Sequence, residues 1–450
     1  MPKGAAPEFT AAALAAQLQT LLGSALPCCI ALSGGLDSTV LLHALASLPA
    51  WRKRLRAVHV HHGLHHEADD WVHHCRRLCR DLGVGLVVRR VAVTLAAGVS
   101  VEAEARRARY QALKRCVRKD EVLLTAHHGT DNVETMLLML VRGAGVAGLG
   151  GIAALSERDG MSLVRPLLPW SRRQLLGYAE RHALTWVDDP SNLDLRLERN
   201  YLRHKLLPAF CERWPDLEQR AAHGAALLRE AAQLNAQLAA ADLAWCGDGE
   251  QLALDALGRL PLVRQRNLVR YWLQLHSLSP PDRNSLHRIV SELPRARIDA
   301  QPWLRWPGGE VRRFGNRLFA LQPGALSPAT RTWDWARSSQ CELGPGLGRL
   351  RLDRSAHGKL ALGRLDRPIT VRYRQGGERM RPEPGSAHRD LKDLLRESGV
   401  LPWMRGAIPL LYCGDILVAV GDLWVDAAFH ATRRHQKRAN VKWLGRPTII

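Results

Sequence analysis

Residues 28–42 read CCIALSGGLDSTVLL, and this stretch decides the fold of the chain. The apolar run before Ser33 predicts a buried strand, the two glycines predict a tight turn, and the apolar run after Ser38 predicts a helix. The first turn of such a helix has unpaired N–H groups and the positive end of the helix dipole, so it binds anions, phosphate above all. The sequence therefore predicts a phosphate-binding turn formed by Ser33, Gly34, Gly35, Leu36, Asp37 and Ser38.

Asp37 is unusual in this setting, because a carboxylate repels phosphate unless a cation lies between them. We infer that Asp37 holds Mg²⁺ that bridges phosphate oxygens. The alternative is a plain glycine turn in which Asp37 only caps the helix. The turn is not a Walker A loop, since the Gly-Lys-Ser/Thr ending is missing. The hexapeptide SGGLDS resembles the PP-loop of enzymes that cleave ATP between its α- and β-phosphates.

Composition limits the class of protein. The 450 residues exceed one ordinary core, so more than one domain is expected, and 46% hydrophobic residues exclude wholesale disorder. The net charge of +21 indicates a polyanionic partner, although a solvated basic surface or an arginine-rich source would give the same value.

Cysteine usage and hydropathy indicate the cellular compartment of the protein. Nine cysteines include an adjacent pair and no Cys-x-x-Cys, which favours a reducing compartment without structural disulfides. No segment approaches the roughly 20 apolar residues that cross a bilayer. The amino terminus fits neither a secretory signal nor a transit peptide. The sequence therefore predicts a soluble, cytoplasmic protein with no membrane partner.

Strands and helices alternate through the first part of the chain. Apolar runs that read as strands recur at 28–32, 55–61, 84–93 and 121–126. Helical patterns between and after them include 101–119 and 131–142. This alternation predicts an α/β fold with a doubly wound parallel sheet whose ligand lies at the carboxyl ends of the strands. Several histidines fall at or just past strand ends: His59, His61, His127 and His128.

Two pairs of charged residues have helical spacing. Arg106 and Arg109 share a helix face and could neutralise a phosphate or a substrate carboxylate, or form a surface charge stripe. Asp131 and Glu134 lie in the first turn of a helix, where carboxylates favour the helix dipole, and they could instead grip an ammonium group. Spacing alone leaves both pairs open.

The chain divides into three predicted domains. Residues 1–215 form the α/β domain. Residues 216–335 form a mainly helical domain that opens with one long helix over 217–243, since that stretch is rich in alanine and leucine. Residues 345–450 form a small α+β domain with a helix over 391–397.

A series of short motifs runs through the whole chain. The motifs are SGGLDSTVLL at 33–42, HVHHGL at 59–64, EARRARYQAL at 104–113, TAHHGTDNVET at 125–135, VRGAGVAGLGG at 141–151, DDPSN at 188–192, RNYLR at 199–203, RYRQGGER at 372–379 and LKDLLRESGVLPWMR at 391–405. In this order they resemble the tRNA(Ile)-lysidine synthase family over nearly all of the chain. The PP-loop alone would name only a superfamily, whereas the ordered series is far more selective.

The resemblance implies a two-step reaction on tRNA(Ile) with a CAU anticodon. The C2 oxygen of the wobble cytidine attacks the α-phosphate of ATP, which gives an adenylated base and pyrophosphate. The side-chain amine of free L-lysine then attacks C2 and expels AMP. The product, lysidine, pairs with A rather than G, so the tRNA changes its amino-acid identity from methionine to isoleucine. ATP as substrate and Mg²⁺ are implied, and a homodimer is compatible with the resemblance.

Roles for individual residues follow from the resemblance and from residue chemistry. Those assigned to catalysis are Asp37, Arg109, His128 and Asp131. The ATP site adds His59 and His61 to the turn. The lysine site comprises Asp131, Glu134 and Arg106. Contacts with tRNA are expected from Asn192, Arg199, Asn200 and Arg203 and, in the last domain, from Arg374, Arg379, Lys392, Arg396 and Arg405.

One position departs from the family pattern, and two other functions stay open. The family usually has two consecutive acids before the residue equivalent to Asn132, whereas the first is Thr130 here, which shifts weight onto Asp131. A tRNA thiolation enzyme is one alternative, and the absence of a Cys-x-x-Cys motif argues against it. A tRNA-binding protein with a decayed ATP site is the other, and the intact turn argues against it.

Overall fold

The structure is a computed structural model. It describes residues 8–63, 67–92, 101–297, 301–322, 324, 326, 328–365, 368–432 and 437–449, and for 101–103 only the backbone. Leu64 of the HVHHGL motif and the last residue of the strand predicted over 84–93 lie outside the described residues. The chain divides into two compact units, Met1–Asn235 and Ala236–Ile450.

The first unit alternates helices with strands. Its helices are α1 (Ala11–Leu22), α2 (Leu36–Ala46), α3 (Pro49–Arg52), α4 (Ala68–Asp81), α5 (Val101–Cys116), α6 (Gly129–Val141), α7 (Val146–Leu149), α8 (Arg172–Arg181), α9 (Glu198–Tyr201), α10 (Leu207–Arg213) and the start of α11 (Leu217–Cys246). Its strands are β1 (Cys28–Ala31), β2 (Leu55–His61), β3 (Gly85–Arg90), β4 (Val122–Leu124), β5 (Leu155–Arg158) and β6 (Met161–Val164). The long helix predicted over 217–243 is confirmed.

The strands of this unit form a sheet that, within the described residues, has the order β3-β2-β1-β4-β6-β5. β1 pairs in parallel with both β2 and β4, so that Ile30 lies opposite Ala57 and Leu124. The β2–β3 and β4–β6 pairs are also parallel. The doubly wound parallel sheet predicted from the sequence is therefore confirmed. The boundary between β1 and β4 is its topological switch point, where open α/β sheets bind their ligands.

The edge strand β5 departs from the predicted pattern, because it pairs antiparallel with β6. The turn between them is Asp159-Gly160, with φ values of 53° and 78°. A two-residue hairpin requires such positive φ values, and Asp-Gly is one of the dipeptides that favours them. This local signal was present in the sequence, but strand–helix alternation alone does not detect it.

Apolar side chains cover both faces of the sheet. Successive side chains of a strand point to opposite faces, and on β1 Ile30 joins one cluster while Cys29 joins the other. Leu41 of α2 is fully buried in the first cluster, and Leu113 of α5 is buried in the second. The strand that leads into the glycine turn is thus held from both sides.

Within its described residues, the second unit combines four further helices with antiparallel sheets. Its helices are α12 (Leu254–Arg259), α13 (Leu262–Leu275), α14 (Arg283–Ser291) and α15 (Leu391–Glu397). Its strands are β7 (Gln251–Ala253), β8 (Trp303–Trp306), β9 (Gly309–Phe314), β10 (Arg317–Leu321), β11 (Arg331–Trp333), β12 (Gln340–Gly344), β13 (Gly348–Arg354), β14 (Leu360–Ala361), β15 (Ile369–Arg372), β16 (Arg379–Met380), β17 (Arg389–Asp390), β18 (Leu410–Cys413), β19 (Ile416–Val420), β20 (Trp424–Val425) and β21 (Arg438–Leu444).

A sheet in the order β7-β10-β9-β8 lies inside the segment predicted as mainly helical. Its side chains alternate between buried and exposed, as Leu304 and Trp306 are buried while Trp303 is exposed. Helices therefore share this segment with a sheet. Beyond it, β11-β15-β18-β19-β20 and β12-β13-β21-β14 form two antiparallel sheets, and with α15 they confirm the predicted α+β region. Among the described residues, no helix combines the length and the apolar character needed to cross a membrane.

Candidate active site

The turn after β1 folds around the hydroxyl group of Ser38. The backbone N–H groups of Ser33 and Gly34 donate to Ser38 Oγ, each at 3.2 Å. The N–H group of Val187 donates to the Gly34 carbonyl at 2.9 Å and secures the turn from outside. Helix α2 begins at Leu36, so the N–H groups of its first turn have no partner inside the helix and can receive phosphate oxygens.

The two glycines of the turn are needed for different reasons. Gly34 has a φ of +89°, and a Cβ atom on it would lie 3.0 Å from Cys75 Sγ. Both the backbone conformation and the space therefore require glycine at this position. Gly35 has an ordinary φ of −74°, and the nearest atom to an added Cβ would be 3.6 Å away. Neither the backbone conformation nor the packing of the protein therefore requires glycine at position 35, and its small size leaves space for a ligand.

A line of acidic and basic groups runs from the turn to α6. His128 Nε2 lies 3.6 Å from Asp37 Oδ2 and 3.5 Å from Asp131 Oδ2. His128 also caps α6, since its Nδ1 accepts from the Asp131 N–H while the Asp131 carboxylate accepts from the His128 N–H. Burial works to lower the pKa of His128, but the carboxylates of Asp131 and Asp37 outweigh it and raise that pKa above its ordinary value. The reciprocal cap holds the imidazole beside Asp37.

Asp37 has the properties of a cation ligand. Its Oδ1 is buried and has no hydrogen-bond partner among the described residues. Carboxylate oxygens are ligands that Mg²⁺ takes in proteins, together with waters and substrate phosphates. The residues present in the turn therefore fit the metal that the sequence indicated.

Asp131 and Glu134, predicted to grip an ammonium group, contact two arginines of the chain itself. Arg203 Nε donates to Glu134 Oε1 at 2.7 Å, and Arg203 Nη2 lies 3.0 Å from Glu134 Oε2 and 3.1 Å from Asp131 Oδ1. Arg199 Nε lies 3.3 Å from Glu134 Oε2, and its Nη2 donates to Thr135 Oγ1 at 2.8 Å. The structure thus brings the residues assigned to lysine together with two of those assigned to tRNA.

The two carboxyl groups differ in pKa. Burial raises the pKa of Glu134 above its ordinary value, even though Arg203 donates hydrogen bonds to it. Burial acts in the same direction on Asp131, but His128 and His127 outweigh it and hold the pKa of Asp131 below its ordinary value. Glu134 is therefore the more basic carboxylate of the pair.

Thr130, which departs from the family pattern, makes its contacts outside this line of charges. Its Oγ1 donates to Glu218 Oε1 and accepts from the Arg172 N–H, both at 3.2 Å. These hydrogen bonds tie the start of α6 to the starts of α11 and α8. The hydroxyl group therefore has a structural use.

We expect Thr130→Val to lower the free energy of unfolding by about 1 kcal/mol, because it removes two hydrogen bonds. The Michaelis constant for ATP should stay within about twofold of wild type. Denaturant unfolding and steady-state kinetics measure the two effects. Thr20→Val is the matched control, since Thr20 Oγ1 donates only to the Ala16 carbonyl of its own helix. A tenfold rise in the Michaelis constant for ATP would instead place Thr130 in the nucleotide site.

His59 and His61, predicted for the ATP site, are buried at the end of β2. His59 Nδ1 hydrogen-bonds to the Leu32 carbonyl at 2.9 Å, and burial lowers the pKa of His59 below its ordinary value. A neutral His59 therefore supports the residue just before the turn. His61 Nε2 lies 3.5 Å from Asp69 Oδ1 of α4. A contact of either ring with ATP stays a prediction.

Arg158 and Arg165 were missed by sequence reasoning. Together with Arg106 and Arg109 they surround Tyr110 and form the Tyr110 arginine cluster. The guanidinium carbons of Arg158, Arg106 and Arg109 lie 3.9, 5.4 and 5.7 Å from the centre of the tyrosine ring. Arg165 lies close enough to Tyr110 to interact with it electrostatically, while its Nη1 donates to the Ala153 carbonyl at 2.7 Å and to Ser156 Oγ at 2.9 Å. Arg158 lies in β5 and Arg165 directly follows β6, so both belong to the unpredicted hairpin and strand–helix alternation gave no signal for either.

His127 is close enough to interact with both Asp131 and the Tyr110 arginine cluster. Burial lowers the pKa of His127 to about 4, with Asp131 opposing and Arg165 and Arg106 reinforcing the shift. Thr125 Oγ1 lies 2.9 Å from His127 Nδ1. The neutral imidazole thus has a carboxylate group and a guanidinium group as neighbours. The site can therefore accommodate a cation and an anion near each other.

Two of the residues predicted to contact tRNA in the first unit are Asn192, which lies in a loop, and Asn200, which supports that loop. Asn192 is exposed. Asn200 is buried, and its Nδ2 donates to the carbonyls of Ser191 and Asp194 at 2.8 and 3.0 Å. These donors of Asn200 are occupied, so in this arrangement the side chain braces the loop that carries Asn192.

Basic residues predicted to contact tRNA also gather in the second unit. Burial lowers the pKa of Arg405, and the positive charges of Arg374 and Arg396 lower it further. Lys392 and Arg379 are exposed. Such a concentration of positive charge suits a phosphate backbone.

The sheet, the glycine turn and the site at the switch point define a PP-loop protein, and the PP-loop domain model matches residues 11–210. A TilS substrate binding domain matches 252–319, and a TilS substrate C-terminal domain matches 369–443. The chain belongs to the tRNA(Ile)-lysidine synthase family. These ranges fall inside the three domains predicted from the sequence, whose boundaries stay a prediction.

Curated relatives match over most of the chain. A tRNA(Ile)-lysidine synthase from Alkalilimnicola ehrlichii is 43% identical over 429 residues, covering 94% of this chain and 96% of the relative. One from Pseudomonas aeruginosa is 44% identical over 413 residues, covering 88% and 89%. Among solved structures, the U34-tRNA thiolase NcsA from Methanococcus maripaludis matches with a TM-score of 0.41 at 18% identity, covering 48% of this chain and 78% of that one.

Proposed function

We propose that the protein joins free L-lysine to C2 of the wobble cytidine of tRNA(Ile) with a CAU anticodon, using ATP. One observation carries this proposal. His128 Nε2 lies 3.6 Å from Asp37 of the phosphate-binding turn and 3.5 Å from Asp131, a residue of the carboxylate pair. A site suited to a triphosphate and a site suited to an amine therefore adjoin at the switch point of the sheet. Family membership supports the same reaction.

In the first step, the C2 oxygen of the cytidine attacks the α-phosphorus of ATP, and the bond to the bridging oxygen breaks. The N–H groups of the turn and of the first turn of α2 receive the departing pyrophosphate. His128 and Arg109 stabilise the negative charge that grows on the α-phosphate. Mg²⁺ bound at Asp37 would neutralise triphosphate charge. The cytidine leaves the anticodon stack to reach this position.

In the second step, the side-chain amine of lysine attacks C2, the C2–O bond breaks and AMP departs. Asp131 and Glu134 hold the ammonium group, and Arg106 holds the carboxylate group of the amino acid. One carboxylate takes the proton that the amine must lose, and the raised pKa of Glu134 suits this task. The resulting lysidine pairs with A rather than G, so the tRNA would be read as isoleucine rather than methionine.

Partners and location follow from the reaction. Asn192, Arg199, Asn200 and Arg203 contact the anticodon region, and Arg374, Arg379, Lys392, Arg396 and Arg405 contact the acceptor stem. We propose a cytoplasmic location, because the reaction uses tRNA and free amino acid. A homodimer is compatible with it, and sedimentation would measure the oligomeric state.

The two alternatives have less support. A thiolation enzyme of the PP-loop class needs a reactive cysteine or a cluster, yet the cysteines in β1 and beside the turn are unreactive, since burial raises the pKa of Cys28, Cys29 and Cys75 to about 12. Thiols with such a pKa are not nucleophiles at neutral pH. An inactive tRNA-binding protein would have no need of a buried, unpartnered Asp37 oxygen beside the phosphate-binding turn.

Mass analysis of the anticodon nucleoside tests the proposal. After incubation of a CAU tRNA(Ile) transcript with the protein, ATP and lysine, we expect a nucleoside heavier than cytidine by lysine minus water. Omission of lysine or ATP is the control. Unmodified cytidine in the complete reaction would contradict the proposed function, and a sulfur-containing product would favour thiolation.

We expect Lys392→Gln combined with Arg396→Gln to weaken tRNA binding and to reduce the slope of log affinity against log salt by about 2, one for each phosphate that the double variant no longer neutralises. Filter binding at several salt concentrations measures the slope. Lys119→Gln, an exposed lysine of the first unit, is the control and should leave the slope unchanged. An unaltered slope in the double variant would place the phosphate-binding side chains elsewhere.

A further inference from the structure

In the proposed function Arg203 contacts RNA. In the structure, however, its guanidinium group lies between Asp131 and Glu134, where the amine of lysine is proposed to bind. Both Glu134 oxygens accept from Arg203, at 2.7 and 3.0 Å. Asp131 Oδ1 lies 3.1 Å from the same guanidinium, and Asp131 Oδ2 accepts from the His128 N–H at 3.1 Å. Each oxygen of the carboxylate pair therefore has a partner. An ammonium group can therefore take the position between the two carboxylates only if Arg203 leaves it.

Because the two carboxylates are buried, Arg203 can leave them only if another cation takes its place. The Glu134 side chain is wholly buried and that of Asp131 is 13% exposed, whereas that of Arg203 is 22% exposed. A buried carboxylate without its counter-ion is strongly destabilised unless another cation arrives. The ammonium of lysine is such a cation. Arg203 in turn needs an anion, and a guanidinium group binds phosphate oxygens in the same two-pronged manner as a carboxylate.

The segment that carries Arg203 contains an irregular helical turn and is anchored by the buried side chains of Leu202 and Leu207. Arg203 lies in a π-helical turn, Leu202–Leu206, between the short helices α9 and α10. Such turns are rare and frequently mark functional sites. Polar contacts hold much of the segment in place, among them His204 Nε2 with the Asn192 carbonyl at 2.9 Å and Arg199 with Glu134. Tyr201 and Leu206 are exposed rather than packed. Contacts of this kind can be replaced by contacts to RNA.

We propose that Arg203 is a displaceable counter-ion that makes capture of the amine substrate conditional on RNA. Bound RNA draws the guanidinium group onto a backbone phosphate, and the freed Asp131–Glu134 pair then receives the ammonium group of lysine. This inference rests on the proposed function and deepens it, since it names the residue that couples the two substrates. The exchange keeps a free amine away from bound ATP until the cytidine is in place.

Equilibrium binding of radiolabelled L-lysine to the full chain tests the coupling. Lysine affinity is measured in the presence of α,β-methylene-ATP, with and without an unmodified CAU tRNA(Ile) transcript. For wild type we expect the RNA to tighten lysine binding about tenfold or more. For Arg203→Gln we expect the RNA-free protein to bind lysine about as tightly as the wild-type complex, with the effect of RNA reduced to about twofold.

Two further variants test whether the effect is specific to the charge and the shape of Arg203. Arg203→Lys keeps the charge but cannot make the two-pronged contact, so the effect of RNA should fall between those of wild type and Arg203→Gln. If Arg203→Gln does not fold, Arg203→Lys alone tests the proposal. Arg196→Gln is the matched control, since Arg196 is 91% exposed and pairs with Asp194 in the loop just before this segment. It should keep the wild-type coupling, and all variants should keep the affinity for the ATP analogue.

The contradicting outcomes are distinct. Wild-type lysine affinity that is equal with and without RNA overturns the coupling but leaves the proposed function intact. Full RNA dependence in both Arg203 variants overturns the role of Arg203. Failure of lysine to bind in any state, RNA included, overturns the proposed function and the coupling with it.

Discussion

Asp37→Ala should abolish measurable pyrophosphate release, and lysine-dependent AMP formation should fall about a thousandfold or more. The expected loss is large because Asp37 provides a buried, unpartnered oxygen at the phosphate-binding turn and also faces His128. Without this carboxylate, the turn would lose its ligand for the Mg²⁺ that would neutralise the charge of the triphosphate. Stopped assays of pyrophosphate and AMP with the CAU tRNA(Ile) transcript measure the effect.

Asp37→Asn separates this role from helix capping. An asparagine caps a helix start about as well as an aspartate, and the N-cap of α2 is in any case Gly35. If Asp37 acts through its charge, the asparagine variant should be nearly as inactive as the alanine variant. Near-wild-type turnover of Asp37→Asn would support the capping alternative. Asp81→Ala, an exposed position at the end of α4, should retain activity and serves as the control.

Asp131→Asn should raise the Michaelis constant for lysine about 10- to 100-fold and that for ATP less than about threefold. The amide keeps the shape of the side chain and can still accept from the His128 N–H, so the start of α6 should stay folded. It no longer carries the charge that an ammonium group needs. Steady-state kinetics with each substrate varied in turn measures the two constants.

Equal rises in both Michaelis constants would show that Asp131 supports the whole site through His128 rather than the amine alone. Asp120→Asn, an exposed aspartate of the same unit, should change neither constant. Glu134→Gln adds a second comparison. Because burial makes Glu134 the more basic carboxylate, its variant should lose turnover number more than lysine affinity if Glu134 accepts the proton of the amine.

Much of the fold could be predicted from the sequence because its signals are local. The alternation of apolar runs with helical patterns predicts a doubly wound sheet, and the sheet is confirmed. The turn could be predicted because a glycine pair follows an apolar run, and the φ of +89° at Gly34 confirms that a glycine is needed there. The β5–β6 hairpin and the sheet of the middle segment were missed, because their strands pair antiparallel and do not follow the strand–helix alternation.

The candidate site divides in the same way. Asp37, His128 and Asp131 could be placed at one edge of the sheet, since parallel strands end on the same side and each of these residues follows a strand. Their mutual distances of 3.6 and 3.5 Å needed the structure. No local pattern showed that Thr130 hydrogen-bonds to Glu218, 88 residues away. Nor did one show that Arg158 packs over Tyr110.

By itself, the sequence determined the sheet, the phosphate-binding turn and the family, because strand ends, glycine turns and helix starts depend on neighbouring residues. Only the tertiary structure decided which charged side chains meet. Glu134 is buried and must find a cation, and folding supplies Arg203 from 69 residues further along the chain. Such a pairing depends on which segments the fold brings together. Burial of the carboxylate then requires that some cation lies beside it.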